Sequence, residues 1–252
     1  MNTFRRQSIN DYIQANGQVT YEELRLMYPE VSTMTLRRDI ELLEKNGQVV
    51  KIRGGAKSVN SSNSPDDKYN IRAAANVIAK TQVAMNALKY IEPDYSVYFD
   101  SGSTMMLIAT MIENAFFSVT TAAPNIALEL SKRSKIDVNL LGGRVNRDTL
   151  SVCGIQAIEQ IGSVNVDTAI MSTSGFSSDF GFTCGDYDEA QLKKAVVKRA
   201  RKIILAMDSS KIDKSFQYTF AKMDDIDIVV LDKRPNDGFI EICEHSGVKL
   251  VY

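Results

Sequence analysis

The chain has 252 residues, 44% of them hydrophobic and 24% charged, and carries a net charge of −1. This balance is ordinary for a globular protein and excludes a polycation, so any nucleic-acid surface must be local. No apolar run approaches the roughly 20 residues that a membrane span needs, and no signal-peptide pattern opens the chain.

Three short helical patterns come first. Residues 3 to 16 carry apolar Phe4, Ile9, Tyr12 and Ile13, and Asn16-Gly17 stops them. Thr20-Tyr21-Glu22-Glu23 fits a capping box and opens a helix through about Met27. Ser32 is an N-cap for a third helix that runs to Lys45-Asn46 and ends at Gly47. Leu36, Ile40 and Leu43 recur at i, i+4 and i+7, which makes one face of this helix core and leaves Thr33, Thr35, Arg37 and Arg38 for solvent or a partner. Residues 49 to 53 then read as a strand, and Gly54-Gly55 as a tight turn.

Two helices, a recognition-type helix and a basic hairpin make a winged helix-turn-helix. Residues 1–57 hold nine basic and seven acidic side chains, so placement matters more than the balance. Arg37 and Arg38 lie on the third helix, with Lys51, Arg53 and Lys57 on or beside the wing, where both can meet phosphates and groove edges. Double-stranded DNA is the expected partner. A bundle with solvated arginines is the plainer alternative.

The polar tract Ser58 to Asp67, with its proline, places a linker at 58–70. Beyond it, residues 71–252 alternate apolar strand patterns (95–99, 117–121, 136–141, 166–171, 202–207, 227–231, 248–251) with helical ones (71–91, 124–133, 186–201). This predicts an α/β domain with a mostly parallel sheet. Strand after strand exits into small or polar residues: Asp100-Ser101-Gly102-Ser103-Thr104, Thr120-Thr121, Gly142-Gly143, Ser172-Thr173-Ser174-Gly175 and Asp208-Ser209-Ser210-Lys211. Ligands of parallel α/β folds bind outside the carboxyl ends of the strands, so these exits predict one rim suited to a small anionic polyol. A phosphate is expected on Ser101, Gly102, Ser103 and Thr104, where a helix N-terminus presents N–H groups, with Lys211 adding charge. Asp100 and Asp208 accept from hydroxyls or else cap their own loops. Arg144 and Arg147 clamp an anion or lie in a solvated loop.

Val31-Ser32-Thr33-Met34-Thr35-Leu36-Arg37-Arg38-Asp39-Ile40, followed by Arg53-Gly54-Gly55-Ala56, closely resembles the DNA-binding end of DeoR-type bacterial transcription regulators. The resemblance continues through the strand exits and covers nearly the whole chain. It implies a C-terminal effector domain similar in fold to ribose-5-phosphate isomerase that senses a phosphorylated sugar or related metabolite. It also implies a homo-oligomer, dimer or tetramer, that represses a carbohydrate catabolic operon. Glu189 and Lys193, at i and i+4, read by themselves as a helix-surface ion pair; the resemblance places them near the effector pocket, with Thr121, Gly142, Gly143 and Gly175. Two departures stand out: Ala122-Ala123 replace a polar pair common in the family, and Asn146 stands where an arginine is frequent. They raise the alternative of a sensor that no longer senses.

The remaining chemistry is sparse. Cys153, Cys184 and Cys243 are too few and too scattered for a disulfide framework, which suits a cytoplasmic protein. The single histidine, His245, reads as a polar residue in the last turn of a helix before Gly247. No metal, cofactor or catalytic residue is expected. The competing class is a sugar-phosphate isomerase or deaminase carrying a DNA-binding domain, with Asp100 or Glu189 as base.

Overall fold

The computed structural model describes residues 2–58, 65–93 and 95–252. Part of the expected linker, 59–64, lies outside these, as does the side chain of Phe4. The chain forms two compact units, Met1–Val77 and Ile78–Tyr252.

The first unit runs α1 (Asn2–Asn16), β1 (Gln18–Thr20), α2 (Tyr21–Met27), α3 (Thr33–Lys45), β2 (Val49–Ile52), β3 (Gly55–Ser58) and α4 (Pro65–Ala74). Its three strands pair antiparallel in the order β1-β3-β2. Ile9, Ile13, Leu24, Leu36, Ile40 and Leu43 are buried together with Val19, Val49 and Ala56 of the sheet. Helix α2 starts on the expected capping box, in which Thr20 Oγ1 accepts from Glu23 N and Glu23 Oε2 accepts from Thr20 N. The wing turn needs both glycines for different reasons. Gly54 sits at φ 93°, and a Cβ on Gly55 would lie 2.0 Å from the Val19 carbonyl oxygen.

Two expectations are corrected here. Residues 65–70, read as linker, belong to helix α4, which opens on a proline at a position where a missing N–H costs little. The single helical pattern over 71–91 is broken at Asn76, held at φ 55°, so α4 ends at Ala74 and α5 (Val77–Leu88) starts afresh. Asn is among the few residues that tolerate this left-handed conformation.

The second unit continues β4 (Ser96–Phe99), α6 (Ser103–Met111), β5 (Phe117–Thr121), α7 (Pro124–Leu130), β6 (Ile136–Leu140), β7 (Arg144–Asn146), β8 (Ser151–Cys153), α8 (Ile155–Gly162) and β9 (Val166–Met171). It ends with β10 (Gly175–Ser177), β11 (Gly181–Cys184), α9 (Tyr187–Arg199), β12 (Ala200–Ala206), β13 (Tyr218–Ala221), β14 (Ile228–Val230), α10 (Asp237–His245) and β15 (Lys249–Val251). Seven parallel strands form the main sheet in the order β15-β14-β12-β9-β4-β5-β6, matching the seven expected runs. Successive residues of β4 feed opposite cores: Val97 and Phe99 pack with α5, α6 and α7, and Tyr98 packs with α8, α9 and α10.

Sequence reading missed the short strands. β7 and β8 form a ribbon, and β10, β11 and β13 form an antiparallel sheet that packs on α9. Helix α9 therefore lies between this small sheet and strands β9 and β12. The order of the main sheet reverses between β4 and β9, since the chain runs β4, β5, β6 outward and returns to β4's other flank. Ligands of open α/β sheets bind at such a switch point, beyond the strand ends.

Candidate functional site

The N-terminal unit presents α3. Ser32 caps it, its Oγ accepting from Thr35 N at 3.2 Å and lying 2.9 Å from Thr35 Oγ1. These two hydroxyls thus hold the helix end, while Thr33 is half-buried and Arg37 and Arg38 stand exposed. Arg37 lies over the Tyr21 ring at 5.2 Å. On the wing, Arg53 is exposed at the turn, but Lys51 donates to Glu41 at 2.8 Å, so that its charge is already partnered on α3. The carboxylate of Glu41 is held below its ordinary range by that hydrogen bond and charge. Sequence reading overlooked Asp39. It is buried on α3, its Oδ2 accepting from Arg5 Nε at 2.7 Å and its Oδ1 from Arg6 Nε at 2.9 Å. Two of the unit's arginines therefore tie α1 to α3.

In the second unit the switch point is built from Asp100, at the end of β4, and Ser172, at the end of β9. Because Phe99 pairs with Ile170, these residues meet just beyond the sheet. Asp100 Oδ2 accepts from Ser172 N at 2.8 Å. Ser172 Oγ lies 2.8 Å from both Asp100 Oδ2 and Ser101 O, and its single proton serves one of them at a time. Lys193 reaches the same carboxylate from α9, forms a close ion pair with it, and donates to Ser172 O at 3.1 Å. Glu189 Oε1 lies 3.5 Å from the ammonium.

The reading of Glu189 and Lys193 as a helix-surface pair is corrected. Lys193 is 1% exposed, and its ammonium lies 5.2 Å over the Phe220 ring of β13. Burial alone would depress its pKa, yet the charges of Asp100 and Glu189 outweigh that and hold it above its ordinary value. Burial pushes the Glu189 carboxyl up, with the charge of Lys193 opposing and that of Asp100 adding. Burial also raises the Cys184 thiol, to about 12, which leaves it inert as a nucleophile. The Tyr98 hydroxyl is buried on this face of the sheet with no hydrogen-bond partner among the described residues. Tyr98 was not singled out from sequence, and Ser172 was read there only as the start of a polar strand exit, although it follows β9 as Asp100 follows β4.

Gly102 is the N-cap of α6 at φ 118°, a conformation that suits glycine, and a Cβ there would lie 3.5 Å from Ser172 Oγ. Ser101 and Thr104 are buried, and Gly102 and Ser103 are half-buried. Thr121 Oγ1 accepts from Ala123 N at 3.1 Å, and Gly142 N donates to Gln160 Oε1 at 2.7 Å, so each has an internal use. Gly143 and Gly175 allow close approach: an added Cβ would lie 2.7 Å from Cys153 O and 2.5 Å from Lys214 O respectively. Ala122 and Ala123 are buried in the two opposite cores. Asp208 is buried and caps the 3-10 turn Ser209–Lys211, its Oδ1 accepting from Ser210 N at 3.2 Å; Lys211 is half-buried on that turn.

Arg144 pairs with Asp188 at 2.6 Å. Cys153, Asp186 and Asp188 offer ligand atoms within 4.8 Å of one another, but Asp186 caps α9 and Asp188 holds Arg144, which account for both carboxylates. No helix among the described residues is long and apolar enough to cross a membrane.

A winged helix-turn-helix followed by an α/β unit with a polar switch point defines a DNA-binding regulator with a sensor domain. Residues 5–62 match the family described as the DeoR-like helix-turn-helix domain, and residues 75–233 match the DeoR C terminal sensor domain. The chain belongs to the DeoR family of transcription regulators. It is 26% identical over 244 residues to the HTH-type transcriptional repressor GlcR of Bacillus subtilis (strain 168), covering 97% of this chain and 93% of that protein. It is 29% identical to the HTH-type transcriptional regulator IolR of the same organism, covering 99% and 100%. It is 28% identical to the L-fucose operon activator of Escherichia coli (strain K12), covering 93% and 96%. Among solved structures, ribose 5-phosphate isomerase A of Methanocaldococcus jannaschii overlaps 55% of each chain with a TM-score of 0.41 and 16% identity, too slight a likeness to bear on function.

Proposed function

We propose that this regulator represses a carbohydrate catabolic operon and that a phosphorylated sugar or related metabolite controls it. Residues 1–57 hold the operator through Thr33, Arg37, Arg38 and Arg53, with Ser32 and Thr35 setting the helix end and Lys51 beside them. Residues 71–252 hold the effector. The observation that carries this reading is the polar cluster at the switch point, where Asp100, Ser172 and Lys193 interlock beside the N-terminus of α6. Its phosphate sits on Ser101, Gly102, Ser103 and Thr104, with Lys211 supplying charge, and Asp208, Glu189 and the glycine-lined exits shape the rim. The name of one relative, an L-fucose operon activator, supports a carbohydrate role, and that of another, a transcriptional repressor, supports repression.

The protein acts in the cytoplasm as a homo-oligomer that spans two half-sites, and effector binding shifts it between geometries that fit them well or badly. It is not an enzyme. A general base must be within reach of the proton it abstracts, whereas Asp100 is committed to Ser172 and Lys193, and Glu189 is buried against the same ammonium. Proton exchange at a sugar phosphate's C2 in heavy water should stay at background.

Arg38→Ala is expected to weaken operator binding severely in a gel-shift titration while leaving thermal unfolding unchanged, and Lys211→Ala to abolish the effector response but not DNA binding. Unchanged affinity in the first variant removes α3 from the interface. An intact response in the second places the pocket elsewhere.

A further inference from the structure

We propose that Met34 reads the C5-methyl group of a thymine in the operator. Met34 is the second residue of α3 and 63% exposed. The helix has its apolar stripe without it: Leu36, Ile40 and Leu43 are buried to 3% or less. In the first turn the Ser32 and Thr35 hydroxyls are taken up by the cap, where they face each other at 2.9 Å. Three and four positions on stand Arg37 and Arg38, both exposed, and seven positions on stands Glu41, which holds the wing's Lys51. At 3.6 residues per turn, Met34 therefore shares its face with the two arginines. An exposed methionine thus lies one turn before the two exposed arginines, on the same face of α3.

The N-terminal residues of a recognition helix contact base edges in the major groove, and arginines beside them grip phosphate or guanine. The one apolar feature a base pair offers there is the thymine methyl. Methionine's unbranched, polarisable side chain can settle against it without fixed geometry. This inference rests on α3 being the helix that enters the groove. The same unit also exposes Leu26 and Met27 on α2, at 83% and 37%, so a protein contact is the outcome to be separated from it.

The test selects a preferred duplex from a random library with the full-length protein, then replaces each thymine in turn by uracil, which removes only the methyl. One uracil in each of the two half-sites is expected to lower wild-type affinity about sixteenfold, at roughly 0.8 kcal/mol for each of the two buried methyls. Met34→Ala and Met34→Gln should lose the same factor on the thymine duplex and bind the uracil duplex no more weakly than the thymine one. If both variants keep the wild-type response to uracil at every position, or the wild type responds at none, the proposal is wrong. Arg38→Ala run alongside separates the two readings. Lost binding in Arg38→Ala with no methyl effect sinks Met34 alone. Wild-type binding by Arg38→Ala removes α3 from the groove, and the Met34 contact with it.

Discussion

A lysine without access to water needs counter-charge, and Lys193 has two carboxylates beside it. One ammonium cannot balance both, and the excess falls on Glu189, whose carboxyl burial holds above the ordinary 4.5. Because its folded value is raised, the folded chain keeps a proton that the unfolded chain releases at lower pH. Glu189 thus contributes stability that is fully present below the ordinary value and lost as pH rises through the raised one. Glu189→Gln cannot ionise, so its stability should fall less than the wild type's between pH 4.5 and neutrality. Urea unfolding at steps across that range checks it; parallel curves for the two proteins would show that Glu189 ionises at no cost. None of this was legible in the sequence, where i and i+4 spacing says that Glu189 and Lys193 are neighbours on a helix. What buries them is the small sheet of β11 and β13 against α9, a tertiary event with no local signature.

Among the elements, Arg5 and Arg6 clamp α1 to α3 through Asp39. Asp39 is buried, while the side chains of its partners Arg5 and Arg6 keep 16% and 31% of their exposure. Breaking a fully buried ion pair from one side costs about 3–5 kcal/mol; the partial exposure of both arginines reduces the expectation here to about 2 kcal/mol. Asp39→Asn should therefore lower the denaturation midpoint of the N-terminal unit and weaken operator binding. A midpoint equal to wild type would mean that the apolar contacts of Ile9, Ile13, Leu36 and Ile40 hold the helices unaided. Elements of this unit were legible because caps and apolar spacing agree: Thr20 with Glu23, Ser32 before α3, Leu36 with Ile40 and Leu43. The inner strands of the main sheet were legible for a similar reason, since strands buried on both faces read as continuous apolar runs, and the more exposed edge strands β6 and β15 were legible from their remaining apolar residues. The three-residue strands β1, β7, β8 and β10 are too short for periodicity and exist through their pairing. At Ala75-Asn76 an unbroken apolar pattern hid a helix break that only the backbone angle of Asn76 shows. The polar rim was legible as a series of strand exits; its centre was not, because Asp100 and Ser172 are joined by the order of the strands rather than by sequence.

At the scale of the molecule, each unit encloses its own apolar core. Ile9 to Ala56 make one, and both faces of the seven-stranded sheet make the others. An output unit and an input unit with separate cores can communicate only through a coupling free energy, which acts equally in both directions. The fragment 77–252 should then unfold cooperatively. A phosphorylated sugar at 100 times its dissociation constant should stabilise both it and the full chain by about 2.7 kcal/mol. In the full chain a further term should appear: the factor by which the sugar changes operator affinity must equal the factor by which operator DNA changes sugar affinity. Thermal shift of fragment and full chain, followed by titration of the full chain with sugar in the presence and absence of operator duplex, measures all three quantities. A fragment that unfolds cooperatively but takes no ligand would place part of the effector site within residues 1–76. Equal sugar affinity with and without operator would mean that this ligand is not the signal the DNA-binding unit obeys.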